Sequence, residues 1–124
     1  MRLWHERLIP LLPRAQLLGQ HRECCALRGG GWGKPHATVN YVFTHPFEYL
    51  VQYHGRVMAE MQRRGYNVSP EWTDDHYRGR QTPTADIETS LYSSSTPIYP
   101  EHDEAYLTEC LENLHAKGIV LPRP

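Results

Sequence analysis

The clearest helical pattern in the 124-residue chain is PFEYLVQYHGRVMAEMQRRG, which runs from Pro46 to Gly65. Side chains suited to a core recur there every three or four residues, so they share one face of an α-helix; they are Phe47, Leu50, Val51, His54, Val57, Met58 and Met61. Pro46 suits a helix start, and Gly65 suits the residue after a helix end. The segment therefore predicts one amphipathic helix that packs on a core.

Two further helices are predicted, one on either side. The first runs from about Arg14 to Arg28, between Pro13 and the glycines that begin at Gly29, and the third runs from Pro100 to Lys117. Their core faces follow the same spacing: Leu17, Leu18, His21, Cys24, Cys25 and Arg28 in the first, and Leu107, Cys110, Leu111 and Leu114 in the third. We therefore expect an all-α fold of about three main helices.

The connections between these helices are irregular. The stretch His36 to Phe43 favours an extended or short helical entry into the second helix. Residues 66–98 contain scattered Pro, Gly, Ser, Thr and aromatic residues with no sustained period, which indicates a long connecting loop. The length of the chain suits one core, so residues 1–124 are predicted to form a single domain.

The composition indicates the cellular compartment of the protein and the distribution of its charge. The apolar runs are far too short to span a membrane and no export signal is visible, so we expect a cytoplasmic protein with reduced cysteines. Residues 1–64 hold nine Lys and Arg against four acidic residues, a formal charge of +5, whereas residues 65–124 hold four against ten, a charge of −6. The basic half can attract phosphate, or the two halves can simply dock as oppositely charged surfaces.

Familiar catalytic signatures are missing from the sequence, which has no phosphate loop, dinucleotide glycine pattern, nucleophile elbow or paired CxxC. The eight histidines allow a metal-dependent hydrolase as an alternative, with His5, His21 or His36 as ligands. Their spacing is weak, because adjacent helix residues do not converge on one ion. No metal site and no cofactor are therefore predicted.

Several segments resemble one family in their shared order. LLGQHRE, Leu17 to Glu23, resembles the active-site helix of the phage pyrimidine-dimer DNA glycosylase family known as endonuclease V, where an Arg-Glu pair occupies the corresponding place. The helix from Phe47 to Arg64, its exit RRGYNV and the later Tyr77-Arg78-Gly79 are also similar to that family. The opening MRLWHE resembles an uncharacterised bacterial branch of it. The resemblance covers about residues 1 to 80.

This resemblance implies an endonuclease V-like helical domain with DNA glycosylase and associated AP lyase activity on damaged or modified bases. The α-amine of Met1 would attack the sugar C1′ and form an imine, assisted by Glu23 with Arg22 beside it. The substrate-binding residues implied or expected are Arg2, His21, Arg28, Lys34 and His36. The expected substrate is duplex DNA, bound by a monomer that needs no cofactor.

The residue types suit this chemistry. An α-amine has an ordinary pKa of about 7.7 to 8.0, so cations such as Arg2 and Arg22 can raise its neutral fraction, and a carboxylate can stabilise a positively charged sugar. A phosphate-facing surface is predicted around the N-terminus, formed by Arg2, Arg22, Arg28 and Lys34. Two alternative functions remain open here: a nucleic-acid or nucleotide binding module without catalysis, and the metal-dependent hydrolase that uses histidines of the N-terminal half. Glu23 can also be a surface carboxylate paired with Arg2 or Arg22.

Overall fold

The structure is a computed structural model that describes residues 2–30 and 39–124. Within these two ranges the chain forms three α-helices, with bounds α1 Arg14–Arg28, α2 Phe47–Arg63 and α3 Glu104–Ala116. The same ranges contain four short 3-10 helices, at Glu6–Leu11, Asn40–Thr44, Pro70–Thr73 and Thr89–Leu91. No β-strand occurs in the two described ranges, so the prediction of an all-α fold is confirmed.

The helices α1 and α2 pack against each other and carry much of the core. The predicted bounds of α1 are confirmed, and its most buried apolar residues are Leu17, Cys24 and Leu27. The predicted core face of α2 is also buried, apart from half-buried Phe47. Gly65 follows α2 with a φ of +82°, a left-handed conformation that glycine adopts without a steric penalty, so the chain turns away there.

The chain segment before α1 is part of the core, which the sequence pattern did not predict. Its 3-10 helix Glu6–Leu11 packs on α2 and buries Leu8 and Ile9. Leu3 and Leu12 on either side of this helix are also buried. The N-terminal residues are therefore held against the α1–α2 pair.

The predicted start of α3 at Pro100 was wrong. The helix begins at Glu104, because the side chain of Asp103 accepts a hydrogen bond of 2.8 Å from the Tyr106 amide and so caps the first turn. The predicted end is confirmed, since α3 stops at Ala116 and Gly118 has a φ of +81°. Leu107, Cys110 and Leu114 are buried and Leu111 is half-buried.

The connection of residues 66–98 is irregular apart from its two short 3-10 helices, and α2 anchors it. The Glu48 carboxylate accepts a hydrogen bond of 2.9 Å from the Glu88 amide. The Gln52 amide group pairs with the backbone of Ser93 in both directions, at 2.8 and 3.1 Å. In the stretch predicted as an entry into α2, a short helix at Asn40–Thr44 is observed, and residues 36–38 lie outside the described ranges.

No helix within the described ranges combines the length and the apolar character that crossing a bilayer requires.

Candidate active site

The N-terminal segment meets α1 at the carboxylate of Glu23. The backbone N–H of Arg2 donates a hydrogen bond of 3.4 Å to Glu23 Oε2. The same oxygen accepts a second hydrogen bond, of 3.0 Å, from Gln20 Nε2. Glu23 lies on the flank of α1, half-buried, so one carboxylate oxygen faces the start of the chain from a rigid helix.

Gln20 also links the N-terminal segment to α1, a role that the sequence pattern did not predict. Its Nε2 also donates to Arg2 O at 2.8 Å, and its Oε1 accepts from the Trp4 amide at 2.7 Å. The hydroxyl of Tyr53 on α2 lies 2.9 Å from the same Oε1. Gln20 is 1% exposed and stands on the apolar stripe between Leu17 and Cys24, which is the signal that points to it.

Burial raises the pKa of Glu23 above its ordinary value. Hydrogen bonds from the Arg2 amide and the Gln20 side chain act in the opposite direction, because they stabilise the charged form. The carboxyl group therefore holds its proton more readily than an exposed glutamate does, while both donors keep it oriented. These are properties of a group that exchanges a proton or stabilises a nearby cation.

The side chain of Arg2 extends away from Glu23 toward α3. Its Nη1 lies 3.6 Å from Glu109 Oε1, and the side chain is 18% exposed. The guanidinium carbon lies 5.8 Å from the ring centre of Trp4 and 5.9 Å from that of Tyr106, within the range of cation–π contacts. The side chain of Arg2 therefore makes structural contacts, while its backbone amide donates a hydrogen bond to Glu23.

The other predicted site residues have different surroundings. Arg22 is exposed on α1, next to Glu23 in sequence, as a phosphate contact would require. Met1, Lys34 and His36 lie outside the described residues, so their predicted roles stay predictions.

Arg28 differs from the prediction. It is fully buried, and its guanidinium donates to the carbonyls of Trp72, Asp74 and Tyr77 at 2.7 to 3.0 Å. Arg28 therefore lies in the interior and not on a phosphate-facing surface, because backbone carbonyls of the loop accept the hydrogen bonds of its guanidinium.

His21, predicted to bind substrate, is half-buried against α2. Its Nδ1 lies 2.8 Å from His54 Nε2, and the Cys25 Sγ lies 3.9 Å from the same His54 atom. Burial, with the nearby Arg28, lowers the pKa of both imidazoles below the ordinary value, and burial raises the pKa of the Cys25 thiol to about 11. Both rings are therefore neutral at neutral pH.

Of the histidines proposed as alternative metal ligands, His5 and His21 have different neighbours, and His36 lies outside the described residues. His5 is buried and stacks on His102, with ring centres 5.3 Å apart, and its Nδ1 accepts a hydrogen bond from the Arg7 amide. The potential ligand group found among the described residues is formed instead by His21, Cys25 and His54. Cys25 and His54 were assigned to core faces by the sequence pattern, because helical periodicity does not distinguish a buried ligand from a packed side chain.

Comparison with known proteins gives one match. The model of a family described as pyrimidine dimer DNA glycosylase matches residues 1–74, which is more than half of the chain. The matched region contains α1, α2 and the corner formed by Arg2, Gln20 and Glu23. No curated protein and no solved structure matches the chain significantly.

Proposed function

Since the chain belongs to the pyrimidine dimer DNA glycosylase family, we propose that it removes a damaged or modified base from duplex DNA and then cleaves the abasic strand. The proposed nucleophile is the α-amine of Met1, and the proposed assisting group is Glu23. Arg22, exposed beside Glu23, would hold the DNA backbone near the site. A cofactor is not part of this proposal.

The observation that carries the proposal is the position of the Glu23 carboxylate. Its Oε2 lies 3.4 Å from the backbone nitrogen of Arg2, and only three covalent bonds separate that nitrogen from the α-amine of Met1. A nucleophile and an acid or base must come within hydrogen-bond reach in the reactive complex. The contact between Arg2 and Glu23 supports such an approach, because it draws the start of the chain to the carboxylate.

The proposed reaction needs little beyond these two groups. The amine forms a bond to the sugar C1′ while the bond from C1′ to the base breaks, and the base leaves with the bonding electrons. The amine nitrogen then loses a proton, and the C1′–O4′ ring bond breaks as the C=N double bond forms, with O4′ taking a proton. Loss of a proton from C2′ then breaks the C3′–O bond, so that β-elimination cleaves the strand on the 3′ side and the phosphate leaves with the bonding electrons. Glu23 would stabilise the positive charge on the sugar or iminium and accept or return a proton.

Borohydride trapping on a duplex with an abasic site tests the proposal. We expect a covalent adduct located at Met1 by mass spectrometry, and no adduct after the N-terminus is acetylated or extended, because only a free amine forms an imine. DNA binding without an adduct would instead favour a nucleic-acid binding module. A panel of damaged bases in the same duplex would identify the substrate.

Glu23→Gln tests the assisting group. We expect folding and DNA affinity to be kept while turnover falls by at least ~100-fold, the usual scale for a positioned proton-transfer or electrostatic group. The matched control is Glu109→Gln, which removes an exposed carboxylate on the other side of Arg2. Undiminished turnover by a folded Glu23→Gln variant would refute the role.

A further inference from the structure

Two neighbouring helices bring a thiol and two imidazoles together. His21 and Cys25 stand one turn apart on α1, and His54 faces them from α2. Their ligand atoms all lie within 4.8 Å of one another. His21 Nδ1 and His54 Nε2 are 2.8 Å apart, and Cys25 Sγ lies 4.0 Å from the first atom and 3.9 Å from the second.

We propose that His21, Cys25 and His54 bind one divalent transition-metal ion, with Zn²⁺ as the best fit. Around a tetrahedral Zn²⁺, two nitrogen ligands lie roughly 3.3 Å apart, and a nitrogen and a sulfur roughly 3.6 Å apart. The observed separations differ from these values by about half an ångström or less, which small side-chain rotations correct. Imidazole and thiolate ligands suit Zn²⁺ and related ions and exclude Ca²⁺ and Mg²⁺ as the preferred occupants.

The protein supplies three ligands, and two of them are only partly shielded from solvent. His21 and Cys25 are half-buried, whereas His54 is fully buried. Cys25 also lines a groove of about 660 Å³, whose walls include Trp72 and Arg78. Three protein ligands with an open fourth position are typical of zinc sites that bind water or an exogenous ligand, rather than of closed structural sites.

Arg28 determines where the hydrogens of the metal-free cluster lie. Its Nη1 is 3.0 Å from His54 Nδ1, and a guanidinium can only donate, so the hydrogen of neutral His54 is on Nε2 and points at His21 Nδ1. A metal ion takes the place of that hydrogen, which moves to Nδ1. The thiol hydrogen of Cys25 leaves to solvent, so each ion bound releases one proton.

Metal binding therefore ends one hydrogen bond of Arg28. The Nη1 hydrogen that points at His54 loses its acceptor when Nδ1 carries a hydrogen. The other Nη1 hydrogen, bonded to the Trp72 carbonyl, and the Nη2 bonds to the carbonyls of Asp74 and Tyr77 hold the side chain in place. The thiolate offsets part of the repulsion between the ion and the guanidinium. The site is thus expected to prefer ions that bind thiolate strongly.

Titration with Co²⁺ tests the site without any dependence on DNA or catalysis. Protein without an affinity tag is stripped with chelator and titrated with Co²⁺, and then with Zn²⁺ in competition. We expect one ion per chain, the visible absorption of four-coordinate Co²⁺, a near-ultraviolet thiolate-to-metal band, and a higher melting temperature with Zn²⁺.

Single substitutions assign the ligands. Cys25→Ser should abolish the thiolate band, and both Cys25→Ser and His54→Gln should weaken binding by at least ~10-fold, the lower limit for loss of even an outer partner. The matched controls are Cys110→Ala, which removes a thiol elsewhere, and His115→Gln, which removes an exposed histidine. Absence of Co²⁺ binding by the folded wild-type protein, or binding unchanged in both ligand variants, would overturn the proposal.

Discussion

Arg28 is a fully buried arginine. Its Nη1 and Nη2 atoms make four hydrogen bonds, one to His54 and three to backbone carbonyls in the long connecting loop. The ring of Trp72 lies 5.2 Å from the guanidinium carbon, and Nε has no hydrogen-bond partner among the described residues. Because these contacts join α1 to residues 72–77, Arg28 fixes the loop on the helix pair.

Replacing Arg28 with methionine should therefore destabilise the protein strongly. Arg28→Met keeps an unbranched apolar stem but leaves three loop carbonyls without their donor, so we expect the free energy of unfolding to fall by about 3 kcal/mol. Urea denaturation with chelator present measures it. The matched control, Arg22→Met on the exposed face of α1, should change stability by less than about 0.5 kcal/mol. Equal effects of the two substitutions would contradict the assignment.

Gln20 is expected to position the proposed active site without contacting substrate. Gln20→Met removes its bonds to Arg2 O and Glu23 Oε2, so both the start of the chain and the carboxylate lose a partner. We expect kcat to fall by ~100-fold, the scale of a misplacement of about 1 Å, while the Kd for DNA changes little. Single-turnover kinetics on protein shown to be folded by circular dichroism measure it.

The control for this prediction is Gln62→Met, which changes an exposed glutamine near the end of α2. It should leave kcat unchanged. A loss of DNA affinity that accounts for the whole effect in Gln20→Met would assign Gln20 to substrate binding instead of positioning.

The sequence predicted the helices best where apolar spacing and end signals agree. α1 and α2 meet both conditions, and their predicted positions hold. The start of α3 was misplaced because Pro100 and the acidic residues after it resemble a first turn, whereas Asp103 supplies the cap. The 3-10 helix at Glu6–Leu11 has no 3.6-residue period, so periodicity could not reveal it.

The proposed site was predictable only in part. Glu23 and Arg2 came from the resemblance, and the structure brings these two residues into contact. Apart from the contact of Gln20 with Glu23, the roles of Gln20 and Arg28 depend on partners 16 to 49 residues away in the chain, which no local pattern encodes. The same is true of His54, whose neighbours His21 and Cys25 belong to another helix.

Asp103 gives a direct test of how α3 begins. Asp103→Ala removes the side-chain acceptor for the Tyr106 amide and should lower the free energy of unfolding by about 1 kcal/mol. Asp103→Asn, which keeps a capping oxygen, should cost much less. Thermal denaturation of both variants measures the difference, and equal losses would mean that the carboxylate charge, not the cap, stabilises this end.

The opposite charges of the two halves of the chain are partly paired in the folded protein. Arg7 lies 2.8 Å from Glu104, and Arg2 lies 3.6 Å from Glu109, so basic residues near the start contact acidic residues of α3. Exposed pairs of this kind contribute little stability each. These pairs neutralise part of the basic charge of Arg2 and Arg7 that could otherwise bind DNA. Among the described residues, Arg22 remains as an exposed cation beside Glu23.

A buried histidine joins three distant parts of the molecule. His102, just before α3, accepts a hydrogen bond of 3.0 Å at Nδ1 from the Glu6 amide, and its Nε2 lies 2.7 Å from the Tyr41 hydroxyl. The rings of His5 and Tyr106 stack on it. Because Nδ1 accepts, neutral His102 carries its hydrogen on Nε2 and donates it to Tyr41, and no acidic side chain faces the ring in the contacts described.

This histidine should make the stability of the whole protein depend on pH. Burial, with the neighbouring His5, lowers the pKa of His102 to about 3, whereas an unfolded chain has a histidine pKa of about 6.5. Between these values the unfolded state binds more protons, so stability falls as pH decreases through that window and is unaffected by this group above it. From pH 6.5 to pH 4 the loss of stability that comes from His102 amounts to about 3 kcal/mol.

Urea denaturation of wild type and His102→Gln at both pH values separates the contribution of His102 from that of the carboxylates, with exposed His115→Gln as the control. The variant should lose about 3 kcal/mol less than wild type over that interval, and parallel losses in all three proteins would show that His102 is protonated without unfolding.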